Sequence, residues 1–142
     1  MSKWARVNRA RARRPGGAKT TKAEQLWANR LQLLLLAGDI LWWAREPVSL
    51  RLGHRCHYIP DFASVTPEGL FCFDEVKGTA GWKLDDESRT KWKSAGELYP
   101  FFQFRSCIQQ KRGGWKLDTY EPVQGFPPAS ESGPLPATAP DL

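Results

Sequence analysis

The chain has 142 residues, with 21 Lys plus Arg against 15 Asp plus Glu and a formal net charge of +6. Apolar residues make up 41% and charged residues 25%, the balance of a globular domain and not of a disordered chain. At this length one domain is expected, burying roughly two thirds of its unfolded surface without metal or disulfide staples.

The charge is uneven. Residues 1–22 hold eight basic side chains (Lys3, Arg6, Arg9, Arg11, Arg13, Arg14, Lys19, Lys22) and no acid, so residues 23–142 sum to −2. A tail of this kind binds polyphosphate by counterion release, with strong salt dependence and little sequence preference. Arg9, Arg11, Arg13 and Arg14 are its candidate DNA contacts, and Trp4 can stack on an unpaired base. The competing reading is a disordered, solubilising tail. At the other end, residues 122–142 contain six prolines among Ser, Gly and Ala and cannot build a core. The expected organisation is a basic disordered tail at 1–19, a folded domain at 20–121 and a Pro-rich disordered tail at 122–142.

No membrane span is expected. The longest apolar stretch, residues 31–44, is interrupted by Gln32, Gly38 and Asp39 and falls short of the ~20 residues that cross a bilayer. The Arg-rich start runs into Pro15-Gly16-Gly17 and not into the apolar segment of a signal peptide, so a cytoplasmic location is expected. Three cysteines, Cys56, Cys72 and Cys107, are expected as reduced thiols.

The first predicted element is a helix from residue 20 or 21 to 37, with Gly38 as its stop. At 100° per residue Trp27, Leu31, Leu34 and Leu35 share one arc, opposed by Gln25, Asn29 and Gln32. Glu24 falls inside the apolar arc, so its carboxylate points toward the body of the protein. The spacing Thr21-x-x-Glu24 also fits a capping box, in which Glu24 bonds back to the helix start. Strand-like runs follow at 48–52, 56–63 and 70–77, with Thr66-Pro67-Glu68-Gly69 as the turn between the last two, and read as an antiparallel meander. Asp85-Asp86-Glu87 then opens a helix in which Trp92, Ala95, Gly96 and Tyr99 recur at helical spacing, ending at Pro100. A strand at 101–108 and a turn at Lys111-Arg112-Gly113-Gly114 lead into a short fifth strand at 115–120.

The informative constellation is Tyr58-Ile59-Pro60-Asp61-Phe62 followed by Phe73-Asp74-Glu75-Val76-Lys77-Gly78. Strand alternation puts Glu75 and Lys77 on one side and Asp74 and Val76 on the other. If the two runs pair as a hairpin, Asp61 lies beside them, and two carboxylates and an ammonium converge. Mg²⁺ takes one or two carboxylates and keeps waters for substrate oxygens, which suits Asp61 and Glu75 to phosphodiester hydrolysis. Lys77 beside them can orient a water and offset transition-state charge. Against this, Glu-x-Lys on a strand is commonly an exposed cross-strand charge pair. A zinc site from His54, Cys56, His57 and Cys72 is disfavoured, because their spacing is not that of a zinc ligand set. His57 shares a face with Ile59 and Asp61 and is a candidate accessory group at the phosphate. Cys56, Cys72 and Val76 are expected in the core, and Asp74 at the surface or supporting the site.

Tyr58-Ile59-Pro60-Asp61-Phe62, the Gly69 turn, Phe71, Glu75-Val76-Lys77-Gly78, Asp85-Asp86 and Tyr99-Pro100 together resemble the PD-(D/E)-x-K nuclease superfamily. Within it the chain is similar to the phage endonuclease I type, which resolves Holliday junctions, over residues 21–115. The resemblance includes Thr21-Lys22-Ala23-Glu24, where that family carries an acid completing the metal site. It implies an α/β, restriction-endonuclease-like fold, a mixed central β-sheet flanked by helices in α-β-β-β-α-β order. It further implies a Mg²⁺-dependent DNA endonuclease, with Mn²⁺ a possible substitute. Glu24, Asp61, Glu75 and Lys77 would be its active site, and Asp61, Glu75 and Glu24 the metal ligands. Family members carry basic residues on the corresponding second helix, which makes Lys83, Arg89, Lys91 and Lys93 candidate DNA contacts. A homodimer acting on branched DNA in phage recombination or processing follows from the same resemblance. The alternatives are a non-catalytic DNA-binding or assembly protein on this fold, and a nuclease for linear, nicked or single-stranded DNA.

Overall fold

The structure, a computed structural model, describes residues 20–83 and 85–123. Helix α1 (Lys22–Ala37) starts at Thr21, whose hydroxyl accepts the Glu24 N–H while the Glu24 carboxylate accepts the Thr21 N–H, a complete capping box. It ends at Gly38, in the left-handed region at φ 81°, where the N–H returns to the Leu35 carbonyl. Trp27 and Leu31 are buried, Leu34 and Leu35 pack against them, and Gln25, Asn29 and Gln32 face out. The amphipathic arc is the one the apolar spacing predicts.

After α1 the chain departs from the expected three-strand meander. Five strands stand between the helices: β1 (Trp42–Arg45), β2 (Leu50–Gly53), β3 (Cys56–Tyr58), β4 (Phe62–Val65) and β5 (Phe71–Lys77). The run expected as one strand at 56–63 is broken at Ile59-Pro60-Asp61. Pro60 has no N–H to give a ladder and a fixed φ, so the chain turns there and its two halves join different sheets. β2 and β3 form a two-stranded ribbon of their own. β1, which the spacing did not single out, pairs with β4 through Trp43↔Ser64 and Ala44↔Ala63. Cys56, expected in the core, is only half-buried.

The main sheet has the order β1-β4-β5-β6-β7, where β6 is Gln103–Gln109 and β7 is Trp115–Thr119. β4 and β5 are antiparallel around the Thr66–Gly69 turn, with Gly69 at φ 86°. β5 and β6 run parallel, a pairing that needs a crossover. Helix α2 (Asp86–Leu98) makes it. The result is a mixed five-stranded α/β sheet with one helix on each face.

Two apolar clusters hold the layers together. Ala23, Trp27, Leu31, Phe62, Val76 and Cys107 pack between α1 and the sheet. Tyr58, Ala63, Phe73, Trp92, Ala95 and Phe104 pack between the sheet, the ribbon and α2. Gly96 lets the Tyr120 ring lie against α2, since a Cβ there would overlap it. β5 is buried from Cys72 to Val76 on both faces. Cys56, Cys72 and Cys107 are all free thiols. Among the described residues no helix is long and apolar enough to cross a membrane.

Candidate active site

β5 leaves the sheet centre carrying Glu75 and Lys77 on its α2 face. Because β4 pairs with β5 in the register Phe62↔Asp74, the residue before β4, Asp61, arrives opposite Glu75. Its Oδ2 accepts the Val76 N–H at 2.8 Å. The main chain of the Glu-x-Lys segment thus fixes the carboxylate of the Pro-Asp segment.

From the other face, the first turn of α1 brings Glu24 to the same place. Its carboxyl stands near that of Asp61 and helps to raise it while also capping its own helix. The two readings of Glu24 are therefore compatible: it caps α1 and also lies near Asp61. Lys77 completes the group, its Nζ lying 3.3 Å from Glu75 Oε1 and 2.6 Å from Asp85 Oδ2. The structure brings Glu24, Asp61, Glu75 and Lys77 together.

The electrostatics are lopsided. Burial pushes the Asp61 carboxyl up to about 8, and the neighbouring charges of Glu75 and Glu24 add to it, against the single Val76 N–H. Burial also raises Glu75, opposed by Lys77 and by a hydrogen bond from the Tyr58 hydroxyl. Lys77 stays charged: burial works against it, but Asp85 and Glu75 outweigh that and raise its pKa. One ammonium is shared between two carboxylates, Glu75 and Asp85, so the cluster is short of positive charge.

Oxygen donors without thiolates suit a hard divalent cation. Among the described residues no three His, Cys, Asp or Glu side chains stand close enough to ligate one ion by themselves. Mg²⁺ commonly binds through one or two carboxylates and keeps several waters. Asp61 and Glu75 fit that pattern, with Glu24 near Asp61.

A recess of about 340 Å³ opens on Asp61 and Glu75. His57, Tyr58 and Ile59 form one wall, and Ser88 and Lys91 of α2 the other. The candidate DNA contacts divide accordingly. Lys91 lines this recess, whereas Lys93 lines a separate hollow with Leu52, Glu97 and Tyr120. Lys83 and Arg89 are exposed on either side of the start of α2. Arg9, Arg11, Arg13 and Arg14, with Trp4, lie outside the described residues. At Gly78 a Cβ would meet open space, so the protein's own packing does not demand glycine there.

Asp74 is not at the surface. It is fully buried on the α1 face, where Arg105 holds it through Nε to Oδ1 at 2.7 Å and Nη2 to Oδ2 at 3.0 Å. The Trp27 indole N–H adds a third bond at 3.1 Å. Its partners come from β6 and α1, 31 and 47 residues away, which strand alternation cannot reveal.

Three contacts around the cluster escape the sequence reading, which quotes Tyr58 and Asp85 without these partners. Tyr58 donates its hydroxyl to Glu75 Oε2 at 2.8 Å. Strict alternation would place it opposite His57 and Asp61, but the parity resets at Pro60, and that proline was the available signal. Asp85 is both the cap of α2, accepting the Ser88 N–H, and the partner of Lys77. The Trp82 ring stacks beneath the Lys77 ammonium at 5.0 Å.

No family model, curated protein or solved structure matches the chain.

Proposed function

We propose that the chain is a metal-dependent endodeoxyribonuclease with a restriction-endonuclease-like fold, hydrolysing phosphodiester bonds of branched DNA as a homodimer. The observation that carries the reading is the convergence of Asp61, Glu75 and Lys77 at the end of β5, with Glu24 against Asp61. Burial, with the charges of Glu75 and Glu24 added, raises the Asp61 carboxyl to about 8, a cost that a fold keeps where an external positive charge completes the site. Asp61 and Glu75 would hold Mg²⁺, or Mn²⁺ in its place, and the ion would polarise a phosphate oxygen and activate water. Lys77, anchored by Glu75, Asp85 and the Trp82 ring, orients the attacking water and offsets charge on the phosphate. The Val76 N–H fixes Asp61, and the Tyr58 hydroxyl fixes Glu75. Branched DNA as the substrate rests on the family resemblance of the sequence, and the basic N-terminal residues supply a salt-dependent hold on the phosphate backbone.

The test is cleavage of a four-way junction beside linear, nicked and single-stranded DNA at equal salt with Mg²⁺. Cutting of the junction is expected, and Lys77→Ala or Asp61→Asn should lower it by about 10³-fold or more while DNA binding survives. Full activity in both variants rejects the site, and preferential cutting of another substrate rejects the junction.

A further inference from the structure

The recess over Asp61 and Glu75 has two chemically different halves. Asp61 and Glu75 make one part acidic, while its walls carry His57 on one side and Ser88 and Lys91 on the other. At about 340 Å³ it holds the volume of roughly ten waters, several times that of one phosphate group. A single scissile phosphate over the carboxylates would leave the walls unused.

The walls are built for an anion. Ser88 and Lys91, one helical turn apart, share a face of α2, and His57 faces them from the ribbon. Lys91 is held at the rim by Glu87, Nζ to Oε1 at 3.0 Å. The Glu87 side chain is 82% exposed, so this pair is weak and easily exchanged for another anion. It keeps the ammonium extended without committing it. Among the candidate cations of α2, Lys91 alone lines this recess among the described residues, since Lys93 borders another hollow.

The geometry points to a second phosphate subsite formed by His57, Ser88 and Lys91, which takes the phosphodiester next to the scissile one on the same DNA strand. This rests on the proposed nuclease function and specifies how that site holds its substrate. Lys91 supplies the charge, Ser88 and His57 add hydrogen bonds, and Ile59 lies under the intervening sugar. The subsite would position the substrate without reading its sequence.

The experiment measures affinity for a junction in Ca²⁺, with one uncharged methylphosphonate linkage moved along each strand at the branch point. In the wild-type chain one position should cost about tenfold in affinity, the loss expected for one charge-assisted contact. Lys91→Ala should weaken binding of the unmodified junction by a similar factor and make that methylphosphonate position harmless. Lys91→Arg should restore the penalty, and Lys116→Ala on β7, an equal change of net charge, should leave it intact. If Lys91→Ala keeps the full penalty at every position, the subsite does not exist. Cleavage in Mg²⁺ is read separately. Cutting without the Lys91 coupling removes the subsite alone, whereas coupling without cutting removes the nuclease reading and leaves an anion site.

Discussion

Asp74 and Glu75 are neighbours in sequence, both buried, on opposite faces of one strand. On the α1 face Asp74 has both oxygens occupied, by two guanidinium bonds and an indole N–H. On the α2 face Glu75 shares one ammonium with Asp85 and stands beside a second, half-buried carboxyl, Asp61. A buried charge is costly unless it is paired and hydrogen-bonded. One acid meets that condition within the protein and ties α1, β5 and β6 together. The other is bonded by Lys77 and the Tyr58 hydroxyl but shares that ammonium with Asp85 and has Asp61 beside it, and the remaining deficit sits at the mouth of a recess open to solvent and ligand.

The comparison predicts opposite responses to mutation. Asp74→Ala strands the Arg105 guanidinium in a largely buried position, where breaking a pair costs about 3–5 kcal/mol. Arg105 keeps 22% of its side chain exposed, so the lower end of that range is expected, a fall in Tm of roughly 10 °C or more. Thermal unfolding monitored by circular dichroism measures it. A variant as stable as the parent would mean that Asp74 is not the clasp between the layers.

Asp61→Asn should do the reverse. The Asp61 carboxyl is raised to about 8 from an ordinary 3.8, so its contribution to stability is fully present below about pH 4 and is lost as pH rises toward 8. Asn has no proton to lose. Without divalent cations Asp61→Asn should therefore melt higher than the parent at pH 8, with the gap closing toward pH 5. Adding Mg²⁺ should stabilise the parent and not the variant. A gap that does not change with pH would show that Asp61 is not held protonated by its neighbours.

Legibility in the sequence follows the range of the interactions. Trp27 and Leu31 are buried as their helical spacing indicates, because one helix buries one face. Asp61, Glu75 and Lys77 were singled out because a short turn joins their strands, so local pairing alone sets them side by side. Asp74, expected at the surface or supporting the site, is instead a buried partner of Arg105, because alternation gives a face and not a partner, and Arg105 lies across a parallel pairing made through α2. β1 was missed because its four residues, Trp42–Arg45, close a longer apolar stretch that shows no strand-like alternation. Tyr58 was missed because a period of two does not survive the turn at Pro60.

Tyr58 also gives the finest test of the two faces. Its hydroxyl is a neutral donor to Glu75, and it holds the Glu75 pKa down against burial. Tyr58→Phe keeps the ring in its cluster with Phe104 and removes that donor. Glu75 should then hold its proton to higher pH, so the acid limb of Mg²⁺-dependent cleavage should move up in pH by up to about one unit, the free energy of a single hydrogen bond to a charged group. At higher pH, with saturating Mg²⁺, the rate should recover to within a few-fold of the parent. A purely structural role would lower Tm and leave the pH profile where it was. A profile that shifts at nearly constant Tm places Tyr58 among the groups that tune the acidic face, the counterpart on Glu75 of what Trp27 and Arg105 do for Asp74.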